Sequence, residues 1–117
     1  MKLKPFKNEV KLIAAVCAQD DVISSTELKT AFEELNKISK ISQKDFDSLI
    51  DEFFDGKETV EEYFFNCQNS KIPISKLINL CKVAATSDGF ALRENYAFLK
   101  LCKLADIDSK IFLKDEI

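Results

Sequence analysis

The chain has 117 residues, of which 46% are hydrophobic and 32% charged, with a net charge of -3 and no histidine. That length suits one domain, residues 1–117, and the balance is that of a folded globule, not a disordered chain. Two glycines and two prolines are too few turn-formers for a many-stranded β-fold, and the missing histidine removes the commonest general base and metal ligand.

Pro5 suits the first turn of a helix, and Phe6, Val10, Ile13 and Cys17 follow at helical spacing until Asp20-Asp21. Ser24-x-x-Glu27 then has the form of a capping box, in which hydroxyl and carboxylate satisfy each other's free backbone N–H groups. Leu28, Ala31, Phe32, Leu35 and Ile38 form the apolar stripe of the second helix. Ser42 caps the third, with Phe46, Leu49, Ile50, Phe53 and Phe54 on one face. Asp55-Gly56 ends it, because glycine tolerates a left-handed cap.

A short fourth helix carries Val60, Phe64 and Cys67 and stops at Gln68-Asn69-Ser70. Pro73 opens the fifth, with Ile74, Leu77, Ile78, Cys81 and Ala85 in register, ending at Ser87-Asp88-Gly89. The sixth carries Phe98, Leu101, Cys102 and Ala105, widened by Leu92 and Leu99, which predicts a central, well-buried helix. Asp108 caps a seventh with Ile111 and Phe112. No segment alternates with period two, so the expected fold is all-α, a single compact domain of about seven helices.

No apolar run approaches the roughly 18 residues of a membrane span. The basic start Met1-Lys2-Leu3-Lys4-Pro5 has no apolar stretch behind it, so no signal peptide is expected. Cys17, Cys67, Cys81 and Cys102 form no C-x-x-C pair and sit in apolar helical contexts. Buried, reduced thiols in a cytoplasmic protein are expected.

Two segments resemble each other. Leu12-Ile13-Ala14-Ala15-Val16-Cys17-Ala18-Gln19-Asp20-Asp21 precedes Glu27, and Leu80-Cys81-Lys82-Val83-Ala84-Ala85-Thr86-Ser87-Asp88-Gly89 precedes Glu94. Each is an Ala-rich helix end, an acidic turn and an acid-bearing helix start. The small residues permit close helix approach.

The phrase Ala84-Ala85-Thr86-Ser87-Asp88-Gly89 with Glu94 resembles the A-x-x-D-G-x-x-x-x-E signature of TerB-like domains (the tellurite-resistance and DjlA N-terminal-like family). The first copy is similar, with Cys17 where alanine is usual and Asp21 where glycine is usual. The resemblance implies two pseudo-symmetric helical hairpin halves, a bacterial stress-response and protein-interaction role, and association of metal ions with acidic residues. The hypothetical ligands are Asp20, Asp21, Glu27, Asp88 and Glu94. Hard ions, Ca2+ or Mg2+, fit such an oxygen-rich set better than zinc. The alternative is that these carboxylates only cap helices and complement their dipoles.

EF-hand, zinc and di-iron patterns are absent, no histidine activates a cysteine, and no Gly-rich phosphate loop is present, so no enzyme is expected. Paired acids such as Glu33-Glu34, Asp51-Glu52 and Glu61-Glu62 read as solvated surface. The charge is uneven: Lys2, Lys4, Lys7 and Lys11 against Glu9 carry +3, leaving -6 for the remainder. A solvated helix face explains the lysines most simply, then an acidic protein partner, with nucleic acid last.

Phe53-Phe54 and Tyr63-Phe64-Phe65 place rings on consecutive positions about 100° apart, so one narrow face cannot hold them all. Either the middle helices are buried on two sides, or some rings form a contact patch. Phe53 and Phe65 are the candidates to bind a protein partner or a second copy in a homodimer. The expected function is a non-enzymatic interaction module of the TerB-like type with an acidic, cation-binding surface. The alternative is a protein-binding adaptor, or a toxin-neutralising (immunity-like) helical protein, without metal.

Overall fold

The computed structural model describes residues 6–18, 23–38, 40–56, 58–67, 70, 72–87 and 92–107, apart from the side chains of 92–95. Among them lie six helices and no strand: α1 (Lys7–Cys17), α2 (Ser25–Ile38), α3 (Gln43–Asp55), α4 (Val60–Asn66), α5 (Ile74–Thr86) and α6 (Leu92–Leu104). The expected seventh helix behind Asp108 lies outside the described residues, as do Pro5 and both acidic turns. The Cα radius of gyration is 13.1 Å, close to the roughly 13 Å expected of one folded unit of this length. None of the helices is long and apolar enough to cross a membrane.

The local signals act as their chemistry dictates. Ser24 and Glu27 form the capping box: Glu27 Oε1 accepts from Ser24 N at 2.9 Å, and Ser24 Oγ accepts from Glu27 N at 3.1 Å. Ser42 Oγ accepts from Asp45 N at 3.1 Å and so starts α3. Phe6 precedes α1 with a left-handed backbone, φ 57°, a conformation that costs a non-glycine residue roughly 1 kcal/mol or more. The Phe6 side chain packs against the core.

Helices α1 and α5 pack on each other at the centre. Val10, Leu12, Ile13 and Val16 of α1 and Leu77, Ile78 and Cys81 of α5 are buried. A fully buried aliphatic side chain of this size contributes about 1.5–3 kcal/mol. Ala14, Ala15, Ala84 and Ala85 are buried as well, consistent with backbones that need small residues to approach. Around this pair, α3 and α4 lie on α1, α2 lies on α5, and α6 touches α5, α4 and α1.

Three expectations are corrected. Helix α6 is not the central helix, since Tyr96, Leu99 and Leu104 are exposed, while among its described side chains Ala97, Phe98, Leu101 and Cys102 are buried. The wide apolar face marks a helix with one face in the core and another turned to solvent. Gly56 ends α3 in an extended conformation, φ -85°, not a left-handed one. Glycine suits this position because a Cβ there would lie 2.7 Å from Glu58 Oε2 and 3.1 Å from the Tyr63 hydroxyl. Lys11 is not a solvated charge: its side chain is 12% exposed and its Nζ bonds Glu52 Oε1 at 3.2 Å, tying α1 to α3.

The two hairpins have unlike surroundings. Helix α2 leans chiefly on α5, whereas α6 is shared among three helices. Their acids also stand at different distances from the turns: Glu27 is seven residues after Asp20, Glu94 six after Asp88. The difference lies in the turns, since Glu27 and Glu94 are each the third residue of their helix, α2 and α6.

Candidate functional site

A surface depression with a volume of about 610 Å³ lies between α4 and α6. Its α4 wall exists because Thr59 and Glu62 form a second capping box, which the sequence expectations missed. Thr59 Oγ1 accepts from Glu62 N at 3.2 Å, and Glu62 Oε1 accepts from Thr59 N at 3.2 Å. The T-x-x-E spelling was the available signal. With Glu62 turned back to the cap, its neighbour Glu61 reaches across the groove and pairs with Lys100 Nζ at 3.4 Å.

The opposite wall is the outer face of α6. Tyr96, Leu99, Lys100 and Lys103 recur at i, i+3, i+4 and i+7, which is one helical stripe, and all four are exposed. Tyr96 is 71% exposed and Leu99 40%, while Ala97, beside them, is buried and lines the depression. Phe65 stands one turn beyond Glu61 on α4 and is 62% exposed, its ring edge-on to buried Phe64 at 6.2 Å. Of the two expected contact rings, Phe65 is therefore at the surface. Phe53 is half-buried between Phe54 and Tyr63, with ring centroids at 5.3 and 5.8 Å. The exposed ring of that pair is Phe54, at 50%.

Beside Phe53, Tyr63 donates its hydroxyl proton to Glu58 Oε2 at 3.2 Å. Burial, then the hydrogen bond and charge of Glu58, then the charge of Glu62, push the phenol up to about 12. Such a hydroxyl stays protonated and serves as a strut.

A polar tie fastens α4 and its exit to α1. Asn8 Nδ2 donates to Asn66 O at 3.3 Å. Ser70 Oγ donates to Glu9 Oε2 at 2.8 Å and accepts from Ile72 N at 3.1 Å. Glu9 is among the buried charged residues.

All four cysteines are free and buried. Burial, then the negative charge of Glu9, pushes the Cys67 thiol up to about 12. Complete burial drives Cys81 further up, and neighbouring Cys67 and Cys102 add to the shift. Raised thiols are poor nucleophiles, which is the opposite of what cysteine catalysis uses.

Of the hypothetical metal ligands, Glu27 is the one whose side chain is described. Asp20, Asp21 and Asp88 lie outside the described residues, and so does the Glu94 side chain, although Glu94 itself is in α6. Glu27 is 4% exposed and already holds the α2 cap. Among the described residues no group of three acidic or thiol side chains is arranged to hold a metal ion. Compared with known proteins, the chain matches no family model, no curated protein and no solved structure.

Proposed function

We propose that this chain is a non-enzymatic helical interaction module, which holds a protein partner on the exposed face formed by α4 and α6. The observation that carries this is Phe65: a large ring 62% exposed on α4, one turn beyond Glu61, which lines a groove of about 610 Å³ whose other wall presents Tyr96 and Leu99. Aromatic anchors next to a concave surface with a charged rim are the usual anatomy of a protein contact. The resemblance of the acidic turns to TerB-like domains extends this to a role in bacterial stress response.

The version without metal is favoured by Glu27. Its carboxylate already accepts the Ser24 N–H at 2.9 Å, so it acts as a cap in the manner of an adaptor scaffold. Ca2+ or Mg2+ on Asp20, Asp21, Asp88 and Glu94 would be an addition to this module, not its working principle.

The test is site-specific photo-crosslinking in cells, with a benzophenone side chain at Phe65 and, as control, at exposed Lys29 on α2. A defined adduct at 65 that is absent at 29 and lost when Leu99→Asp is added supports the proposal. Equal labelling at both positions refutes it.

A further inference from the structure

The groove between α4 and α6 has a counterpart on the same molecule. The outer face of α3 carries Asp47, Asp51, Phe54 and Asp55, all exposed, at i, i+4, i+7 and i+8. That is an acidic stripe with one aromatic ring, and the ring is 50% exposed. The α6 stripe of Tyr96, Leu99, Lys100 and Lys103 is its electrostatic complement: apolar at one end, cationic along the rest. We infer that the occupant of the groove is α3 of a second copy of this chain.

The spans agree. Seven residues separate Phe54 from Asp47 and seven separate Tyr96 from Lys103, about 10.5 Å in each helix at 1.5 Å per residue. With the helices antiparallel, Phe54 meets Tyr96, Asp51 stands at the level of Leu99 and within one residue, about 1.5 Å of rise, of Lys100, and Asp47 meets Lys103. With the helices parallel, Phe54 would fall on Lys103 and Asp47 on the Tyr96 ring, so charge sets the direction. Among the described residues Asp47 bonds Gln43, at 2.7 Å, and Lys100 pairs with Glu61 across the groove, at 3.4 Å. Both are exposed contacts that a partner can replace at small cost.

Both stripes are exposed, and α3 rests on α1 with its opposite face: Phe46, Leu49 and Ile50 are buried. Every copy therefore carries both the groove and its occupant. Two copies related by a two-fold axis make the contact twice, which doubles the buried area without any new surface. The inference rests on the proposal that α4 and α6 form a contact face and names the partner of that face.

Sedimentation velocity over a micromolar to submillimolar range tests this. The wild-type chain is expected to form a concentration-dependent dimer that weakens with added salt. Lys100→Glu with Lys103→Glu should weaken it at least tenfold, and so should Asp47→Lys with Asp51→Lys. An equimolar mixture of the two doubly substituted chains should dimerise again to within about threefold of wild type, because each mixed contact is once more opposite in charge. Circular dichroism of each variant confirms that it is folded before mixing. A wild-type chain that stays monomeric throughout, or substituted chains that fail to recover on mixing, overturns the inference. A monomer with an intact Phe65 adduct would leave the interaction module standing with a foreign partner.

Discussion

Ser70 is the smallest side chain whose loss should disturb the candidate site from a distance. It sits between α4 and α5, and its hydroxyl serves two buried groups at once. It donates to Glu9 Oε2 at 2.8 Å and accepts from Ile72 N at 3.1 Å. Ser70→Ala leaves a carboxylate that is 9% exposed without this donor and the N–H of a residue that is 2% exposed without this acceptor. A hydrogen bond to a charged group contributes about 1.5–3 kcal/mol, and an orphaned buried N–H costs about 1–3 kcal/mol. Ser70 itself is only half-buried, so water restores part of both. The net loss is expected at about 2–4 kcal/mol, a large share of the roughly 5–15 kcal/mol that holds a domain of this size.

Glu9→Gln is the control. The amide oxygen can still accept from Ser70, so only the charge-assisted part is lost, about 1 kcal/mol. Urea denaturation followed by circular dichroism measures both, with an unchanged m-value as the sign that only stability has moved. The α4 wall should loosen in the same variant, because Ser70 closes the link that follows α4, and amide exchange in 60–66 should quicken. If Ser70→Ala stays within about 0.5 kcal/mol of wild type, the Glu9–Ser70–Ile72 tie does not hold α4 in place.

Stability should fall above pH 9. The Cys67 thiol is pushed from 9.0 to about 12 in the fold, so its contribution is full below pH 9 and is lost as pH rises towards 12. One such thiol gives a slope of up to about 1.4 kcal/mol per pH unit. Buried Cys81 acts in the same direction, and Tyr63 joins between 10.0 and about 12. Urea midpoints at pH 8 and pH 10.5 check this, and equal midpoints refute it. At the α2 start, Ser24→Ala should cost about 1 kcal/mol through loss of the cap. Any thermal shift produced by millimolar Ca2+ or Mg2+ should be the same in Glu27→Gln as in wild type. A cation effect that disappears in Glu27→Gln would instead make Glu27 a ligand.

Some of this protein was decided within a few residues of chain. The capping boxes at Ser24–Glu27 and Thr59–Glu62 close over three positions, so their chemistry needs no distant partner. The apolar period placed Val10, Ile13 and Cys17 of α1 and Leu77, Ile78, Cys81 and Ala85 of α5 inside, whereas burial of every α1 residue from Leu12 to Cys17 came from helices packed on several of its sides. The same period placed Cys17, Cys81 and Cys102 inside.

What needed the tertiary structure was the ranking of faces against one another. Leu99 and Leu101 are both leucines on one helix, yet Leu99 is 40% exposed and Leu101 is buried completely. Phe54, not Phe53, reaches the surface because Tyr63, ten residues further along the chain, covers Phe53. Lys11 was expected in solvent and is held by Glu52. In each case the deciding neighbour comes from a different helix, or from the bare space beside α6. Periodicity along one helix tells which residues share a face, but which face is covered depends on where the other helices lie, and that is set only when the whole chain packs.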